Sequence, residues 1–167
     1  QIEKPLANED RILIPSPKCP SYAEKPEMSA SKITKTVLPK IESQKYDFIA
    51  LNFANCDLVG HSGNLKATIK AVESIDECLG RIVPKAIANG YSVLITGDHG
   101  NAEYMIYEKN GEECPSHTIN PVPFIAIGQN IQNTKLKKGG GLKDIAPTIL
   151  KIMGINKPKE MTGESLY

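Results

Sequence analysis

The sequence predicts an α/β fold, a mainly parallel sheet flanked by helices on both faces, and three observations carry that prediction. Short apolar or β-branched runs at 11–14, 46–52, 93–96 and 121–128 alternate with longer stretches in which apolar residues recur every three or four positions. Glycine, proline and asparagine punctuate the boundaries between them. The run at 93–96 is continuously apolar or β-branched, which is how a strand buried on both faces of a parallel sheet reads.

Taken in order, residues 1–10 are polar, contain Pro5 and form a poorly ordered arm. The strand at 11–14 is stopped by Pro15 and Pro17, and Pro20 and Pro26 keep 18–27 irregular. Ser29 or Ser31 caps a helix running to about Glu42, with Ile33, Val37, Leu38 and Ile41 on one face and Pro39 shortening or kinking its end. A buried strand at 46–52 runs into a loop at 53–63. A long helix follows from about Leu65, its apolar face Leu65, Ile69, Val72, Ile75, Leu79 and Ile82, with Pro84 late in the pattern and Asn89-Gly90 ending it. The strand at 93–96 is fully buried and breaks at Gly97. Residues 103–107 and those beyond Asn110-Gly111 form a hairpin on a type I′ turn. A short strand lies within 121–128, and 135–143 is a basic, glycine-rich loop. Asp144 caps a helix through Ile152 that tolerates Pro147 in its first turn, and Gly154 ends it.

A chain of 167 residues suits one domain that buries roughly 70% of its unfolded surface. The net charge of +1 gives no electrostatic reason for a nucleic acid or an anionic membrane partner. No apolar run approaches the roughly 18 residues of a membrane span, and no charged-then-apolar leader opens the chain, so a cytoplasmic protein is expected. The four cysteines are scattered without a C-x-x-C pair, which argues against a zinc ribbon and for reduced thiols. The first residue is Gln1 rather than Met, so a processed chain or a fragment is expected.

The chemistry-bearing residues are few. All three histidines, His61, His99 and His117, follow a predicted strand or hairpin. Asp57 precedes His61 by four positions, and Asp98 adjoins His99. On one helical turn Asp57 and His61 come within about 5–6 Å and close on a single ion. A mixed His/Asp set suits manganese, zinc or iron better than calcium or magnesium. Each pair alone also has an ordinary reading, since a D-x-x-x-H is common and Asp-His beside glycine suits an Asx turn. Ser62 is a nucleophile or a supporting loop residue, and Cys114 a thiolate ligand or a small filler. Lys135, Lys137, Lys138 and Lys143 form a phosphate cradle or a solvated loop. Lys18 points towards the same edge as the metal ligands.

Longer motifs surround these residues. The stretches 52–63 (NFANCDLVGHSG), 96–103 (TGDHGNAE) and 116–123 (SHTINPVP) resemble the metal motifs of the cofactor-independent phosphoglycerate mutases, members of the alkaline phosphatase superfamily. PSPK at 15–18, KPEMSA at 25–30, DIAPT at 144–148 and MTGESL at 161–166 extend the resemblance to both ends. Cys56 stands where proline is usual and Leu58 where methionine is usual; neither is a ligand position.

The resemblance implies an alkaline-phosphatase-like fold truncated at its N-terminal side, 1–167 being the C-terminal part of the metal-binding domain. It implies two divalent ions, most often Mn2+, with Zn2+ or Co2+ suited to the same ligands. Asp57, His61 and His117 would hold the first ion; Asp98 and His99 would share the second with an aspartate and a nucleophilic serine. That serine would carry the phosphoryl group between 3- and 2-phosphoglycerate. Neither residue has a matching motif here, so the chain is expected to be an inactive C-terminal fragment. Its partners would be phosphoglycerate and the N-terminal half of the same polypeptide, whose absence would leave a sheet edge open. The competing expectations are another metalloenzyme of the superfamily, a phosphomonoesterase or phosphopentomutase, and a non-catalytic metal-binding module.

Overall fold

Three helices precede the first strand in the computed structural model, which describes residues 3–131 and 135–167. Helix α1 (Ala30–Glu42) starts beside Ser29, whose hydroxyl donates to the Pro15 carbonyl at 2.8 Å and ties the helix to the PSPK turn. Its Ala30, Thr34, Val37 and Ile41 recur every three or four positions and are buried. Pro39 is accommodated in the last turn. Helix α2 (Asn55–Gly60) is short and anchored by Asn55, whose side-chain amide donates to the Pro26 carbonyl at 2.8 Å.

Helix α3 (Leu65–Ala88) is the spine. Asn64 caps it by accepting from the Ala67 N–H, and Gly90 closes it with φ +81°. There the Gly90 N–H reaches the Ile87 carbonyl and the Tyr91 N–H reaches Ala86, a Schellman termination. Strands β1 (Val93–Thr96) and β2 (Phe124–Ile127) pair antiparallel, with Val93 opposite Ile127 and Thr96 opposite Phe124. Helix α4 (Ile145–Ile152) ends in a second Schellman motif, with Gly154 at φ +70° and the Ile155 N–H on the Leu150 carbonyl.

Two apolar clusters share α3. Val37 and Ile41 of α1 meet Ile82 and Ala86 of α3, with Ile49, Phe53 and Val93 packed around them. Val59 of α2 meets Ala67 and Ala71, with Tyr22 and Met28 alongside. The second cluster fixes α2, and therefore Asp57 and His61, against the rigid helix.

The α/β class holds, with a sheet smaller than expected. Among the described residues the sheet is one antiparallel pair instead of a mainly parallel array. Segments 11–14 and 46–52 join no ladder, because a parallel strand takes all its hydrogen bonds from neighbouring strands and no further strand is present among those residues. Ile12, Leu13, Phe48 and Leu51 are accordingly exposed. For the same reason β1 is half-buried rather than fully buried, and its Thr96 is exposed.

The apolar face expected for α3 is also displaced. Leu65, Ile69 and Val72 are 43%, 49% and 47% exposed, while Ala67, Thr68, Ala71, Cys78, Ile82 and Ala86 are buried. Small side chains let α2 approach closely, and that packing outweighs the bulkier stripe. Residues 53–63 contain α2 where a loop was expected.

The hairpin at 105–114 forms through the Ile106–Glu113 bridge, but 108–111 make a four-residue loop and only Gly111 of the Asn-Gly pair has positive φ, so the turn is not type I′. Asp144 occupies the N-cap of α4 with no side-chain bond into that helix; its carboxylate accepts from the Gly141 and Glu164 N–H groups, both at 2.8 Å. The arm is held at Asp10, which accepts from Lys45 and Tyr46. All four cysteines are free, and no helix among the described residues is long and apolar enough to cross a membrane.

Candidate metal centre

Asp57 and His61 are brought together by α2. Asp57 lies in the first turn and His61 is the C-cap, its N–H donating to the Asp57 carbonyl at 3.0 Å. The expectation of one helical turn is therefore met: His61 Nε2 stands 3.1 Å from Asp57 Oδ1. Burial pushes the thiol of Cys56, directly before Asp57, up, which keeps it from competing as a thiolate.

The loop 97–103 leaves β1 with Asp98 and His99, and the loop 115–123 enters β2 with His117. An antiparallel bridge joins them at Gly100 and Thr118, where the Thr118 N–H donates to the Gly100 carbonyl at 2.8 Å. His117 Nε2 then lies 2.9 Å from Asp57 Oδ1 and 3.0 Å from His61 Nε2. The His99 ring stacks on His117 with centroids 3.8 Å apart, and its Nε2 is 3.9 Å from Asp57 Oδ1. One atom each from Asp57, His99 and His117 falls within 4.8 Å of the others. Asp98 stands apart: its side chain is 78% exposed, with Oδ2 3.8 Å from His99 Nε2.

The chemistry of the triangle is unusual for a group of ordinary polar residues. His61 Nδ1 is 2.6 Å from the Pro115 carbonyl, an acceptor, so Nδ1 carries a hydrogen, which selects the tautomer whose Nε2 is the ring's lone-pair atom. That lone pair faces the Asp57 carboxylate and His117 Nε2. Asp57 Oδ1, His61 Nε2 and His117 Nε2, at edges of 2.9, 3.0 and 3.1 Å, are three potential ligand atoms placed to close on one cation. Such edges match adjacent ligands around an ion bonded at about 2.0–2.2 Å. The Pro115 contact is the outer hydrogen bond that metal-ligating histidines ordinarily make. The residues present therefore fit a divalent metal ion.

Other candidates are committed elsewhere. Ser62 Oγ donates to the Val59 carbonyl at 2.6 Å and accepts from the Asn64 N–H, so it supports the turn. Cys114 is buried beneath the hairpin. Lys137 lines an open groove of about 660 Å³ beside Asp98 and His99, but its ammonium donates to the Ser165 carbonyl at 2.7 Å. Lys18 is exposed.

Sequence reasoning missed two residues. Asn101, 3% exposed, has neither side-chain amide atom hydrogen-bonded and lies against Gly60. The Glu103 carboxylate accepts from the Asn101 N–H at 2.6 Å, from Asn120 Nδ2 at 3.0 Å and from the Thr118 hydroxyl. Burial pushes this carboxyl up, and the hydrogen bonds from Thr118, its own backbone N–H, Asn120 and Asn101 together outweigh it and hold it below its ordinary value. A carboxylate four residues past His99, with a hydroxyl residue directly after His117, was the available signal.

The chain resembles known proteins over nearly all of its length. The chain is 53% identical over 165 residues to the 2,3-bisphosphoglycerate-independent phosphoglycerate mutase of Clostridioides difficile, a match covering 99% of this chain and 32% of that protein. The enzyme of the same name from Clostridium kluyveri is 54% identical with the same coverage. A crystal structure of Leishmania mexicana phosphoglycerate mutase at low cobalt concentration superposes with a TM-score of 0.83 and 30% identity over 92% of this chain and 31% of that one. The chain thus spans about a third of the length of the relatives it matches. Residues 1–157, with all five candidate ligands among them, match the metalloenzyme superfamily, and the chain belongs to that superfamily.

Proposed function

We propose that this chain is the C-terminal metal-binding part of a phosphoglycerate mutase that interconverts 3-phosphoglycerate and 2-phosphoglycerate through a phosphoserine at a two-metal site. The acceptor triangle of Asp57, His61 and His117 is the observation that carries this reading. Those three residues hold one divalent ion, while Asp98 and His99 contribute to a second whose remaining ligands, an aspartate and the serine, lie outside this chain. Manganese is the expected ion; cobalt and zinc suit the same donors.

Divalent ions in such a pair lower the pKa of an attacking hydroxyl and neutralise charge on a transferring phosphoryl group. The residues of this chain act around that chemistry. Asp57 supplies the negative charge shared by the cluster, and Pro115 fixes the His61 tautomer so that Nε2 faces inward. His117 links the two half-sites, bonding Asp57 on one side and stacking on His99 on the other. In this reading, binding phosphoglycerate falls to the rest of the polypeptide.

Calorimetric titration of the purified chain with Mn2+ and Co2+, paired with assay of 3-phosphoglycerate turnover, tests this. The chain is expected to bind metal, to lose that binding in Asp57→Asn, and to turn over nothing until the rest of the polypeptide is supplied. Turnover by the chain alone, or metal binding indifferent to Asp57→Asn, would overturn the reading.

A further inference from the structure

The geometry points to Glu103 as the positioning residue that sets the spacing between the two half-sites, a role that rests on the metal-site reading and goes beyond it. The loop carrying His99 and the loop carrying His117 meet through one backbone bridge, Thr118 N–H to Gly100 carbonyl. A single bridge leaves a hinge, so the rings it carries are free to swing unless a second tie exists. Glu103 supplies it. One carboxylate oxygen accepts from the Asn101 N–H of its own loop, and the other accepts from the Thr118 hydroxyl and the Asn120 amide of the opposite loop. Gly100 lies directly beneath, where a Cβ would strike both Thr118 Oγ1 and the Glu103 carboxylate, so the clasp closes over bare backbone.

The donor count explains why a carboxylate is needed. Donors from Asn101, Thr118 and Asn120 converge on two oxygens together with Glu103's own N–H, and an ionised carboxylate accepts from all of them with charge assistance. A glutamine would turn an NH2 group on at least one of those donors. An aspartate would be one methylene too short to bridge from the Asn101 N–H to Thr118. What the clasp holds is the 3.8 Å stacking of His99 on His117, a direct contact between a ligand of each proposed ion. Glu103 touches neither histidine ring, so it acts through the loops.

Two readouts on the purified chain test this role. In the metal-free protein, the nuclear Overhauser effect between the His99 and His117 ring protons should be present in the wild type, weak or lost in Glu103→Gln, and kept in Thr118→Ser, which retains the hydroxyl. With Co2+, Glu103→Gln should lower affinity about 10- to 100-fold and alter the d–d absorption spectrum, with Thr118→Ser near wild type. An unchanged ring contact in Glu103→Gln overturns the proposal, as does its absence from the wild type. If the wild type bound no Co2+ the metal reading would fail, and the ring contact would still decide Glu103. Should Glu103→Gln fail to fold, Thr118→Val removes one tie alone and should weaken the same contact; no change there would overturn the role.

Discussion

Gly60 lies so close against Asn101 that a Cβ at position 60 would overlap the Asn101 amide oxygen and come within 2.9 Å of its Cγ. Gly60 ends α2 one residue before His61, and Asn101 follows His99 by two, so this contact docks the Asp57–His61 helix onto the His99 loop. Two effects compete in Gly60→Ala. Replacing a helical glycine stabilises by about 0.5–1 kcal/mol, whereas forcing a methyl into a packed contact costs about 1–3 kcal/mol. Asn101 is short and buried and has little room to turn away, so the second effect wins. The expected outcome is a net loss of about 1–2 kcal/mol in urea denaturation. Gly60→Ala combined with Asn101→Ala should recover most of it; a double variant as unstable as the single one would locate the cost elsewhere.

Metal affinity should separate the ligands by their place in the triangle. Asp57 Oδ1 is the vertex that both His61 and His117 face, so Asp57→Asn removes the only negative charge among the three close atoms. Its expected effect is a loss of about 100-fold or more in Mn2+ affinity, ~2.7 kcal/mol. Asp98 is largely exposed and 3.8 Å from its nearest histidine nitrogen, so Asp98→Asn in the isolated chain should change the affinity of the first ion less than about threefold, under ~0.7 kcal/mol. Calorimetry on the two variants decides it: equal losses would mean that the two half-sites are not distinct.

What was legible in the sequence was local. Gly90 and Gly154 as helix stops, and the pairing of Asp57 with His61 across one helical turn, each depend on residues within five positions, and each is found. What failed was non-local. The ladders expected for 11–14 and 46–52 depend on strands that the sequence pattern of those segments does not specify. The Glu103 clasp was missed because its partners Thr118 and Asn120 lie 15 and 17 residues away. On α3 the periodicity was right and the face held at Ile82 but failed at Leu65, Ile69 and Val72, because hydrophobicity alone does not show that alanine at 67 and 71 permits the closer approach.

That displaced face gives a sharp contrast in stability. Ile69 is about half exposed on α3 and Ile82 is buried in the cluster with Val37 and Ile41. Ile82→Ala should cost about 2–4 kcal/mol through the cavity it leaves. Ile69→Ala, on the uncovered side, should stay within about 0.5 kcal/mol. Thermal unfolding of the two variants side by side checks this, and a large loss at Ile69 would show that the stripe of Leu65, Ile69 and Val72 is covered in solution, by a second copy of the chain or otherwise.

Acid stability should run through Asp144. Hydrogen bonds from the Glu164 and Gly141 N–H groups, with Lys143 and Lys137 nearby, hold its carboxyl below the ordinary value against the opposing effect of burial. The same residue fastens the chain end to α4: its carbonyl accepts from the Thr148 hydroxyl, which in turn accepts from the Leu166 N–H. The folded carboxyl therefore holds its proton less tightly than the unfolded one, whose pKa is about 3.9. Below that value the unfolded chain binds more protons, so stability falls with pH. The contribution is full above about pH 5 and disappears as the pH drops through the folded value. Asp144→Asn, which keeps the shape and loses the charge, should be less stable than the wild type at pH 7, and the gap should shrink as urea denaturation is repeated towards pH 2. A gap that stays constant across that range would mean that Asp144 acts by shape alone.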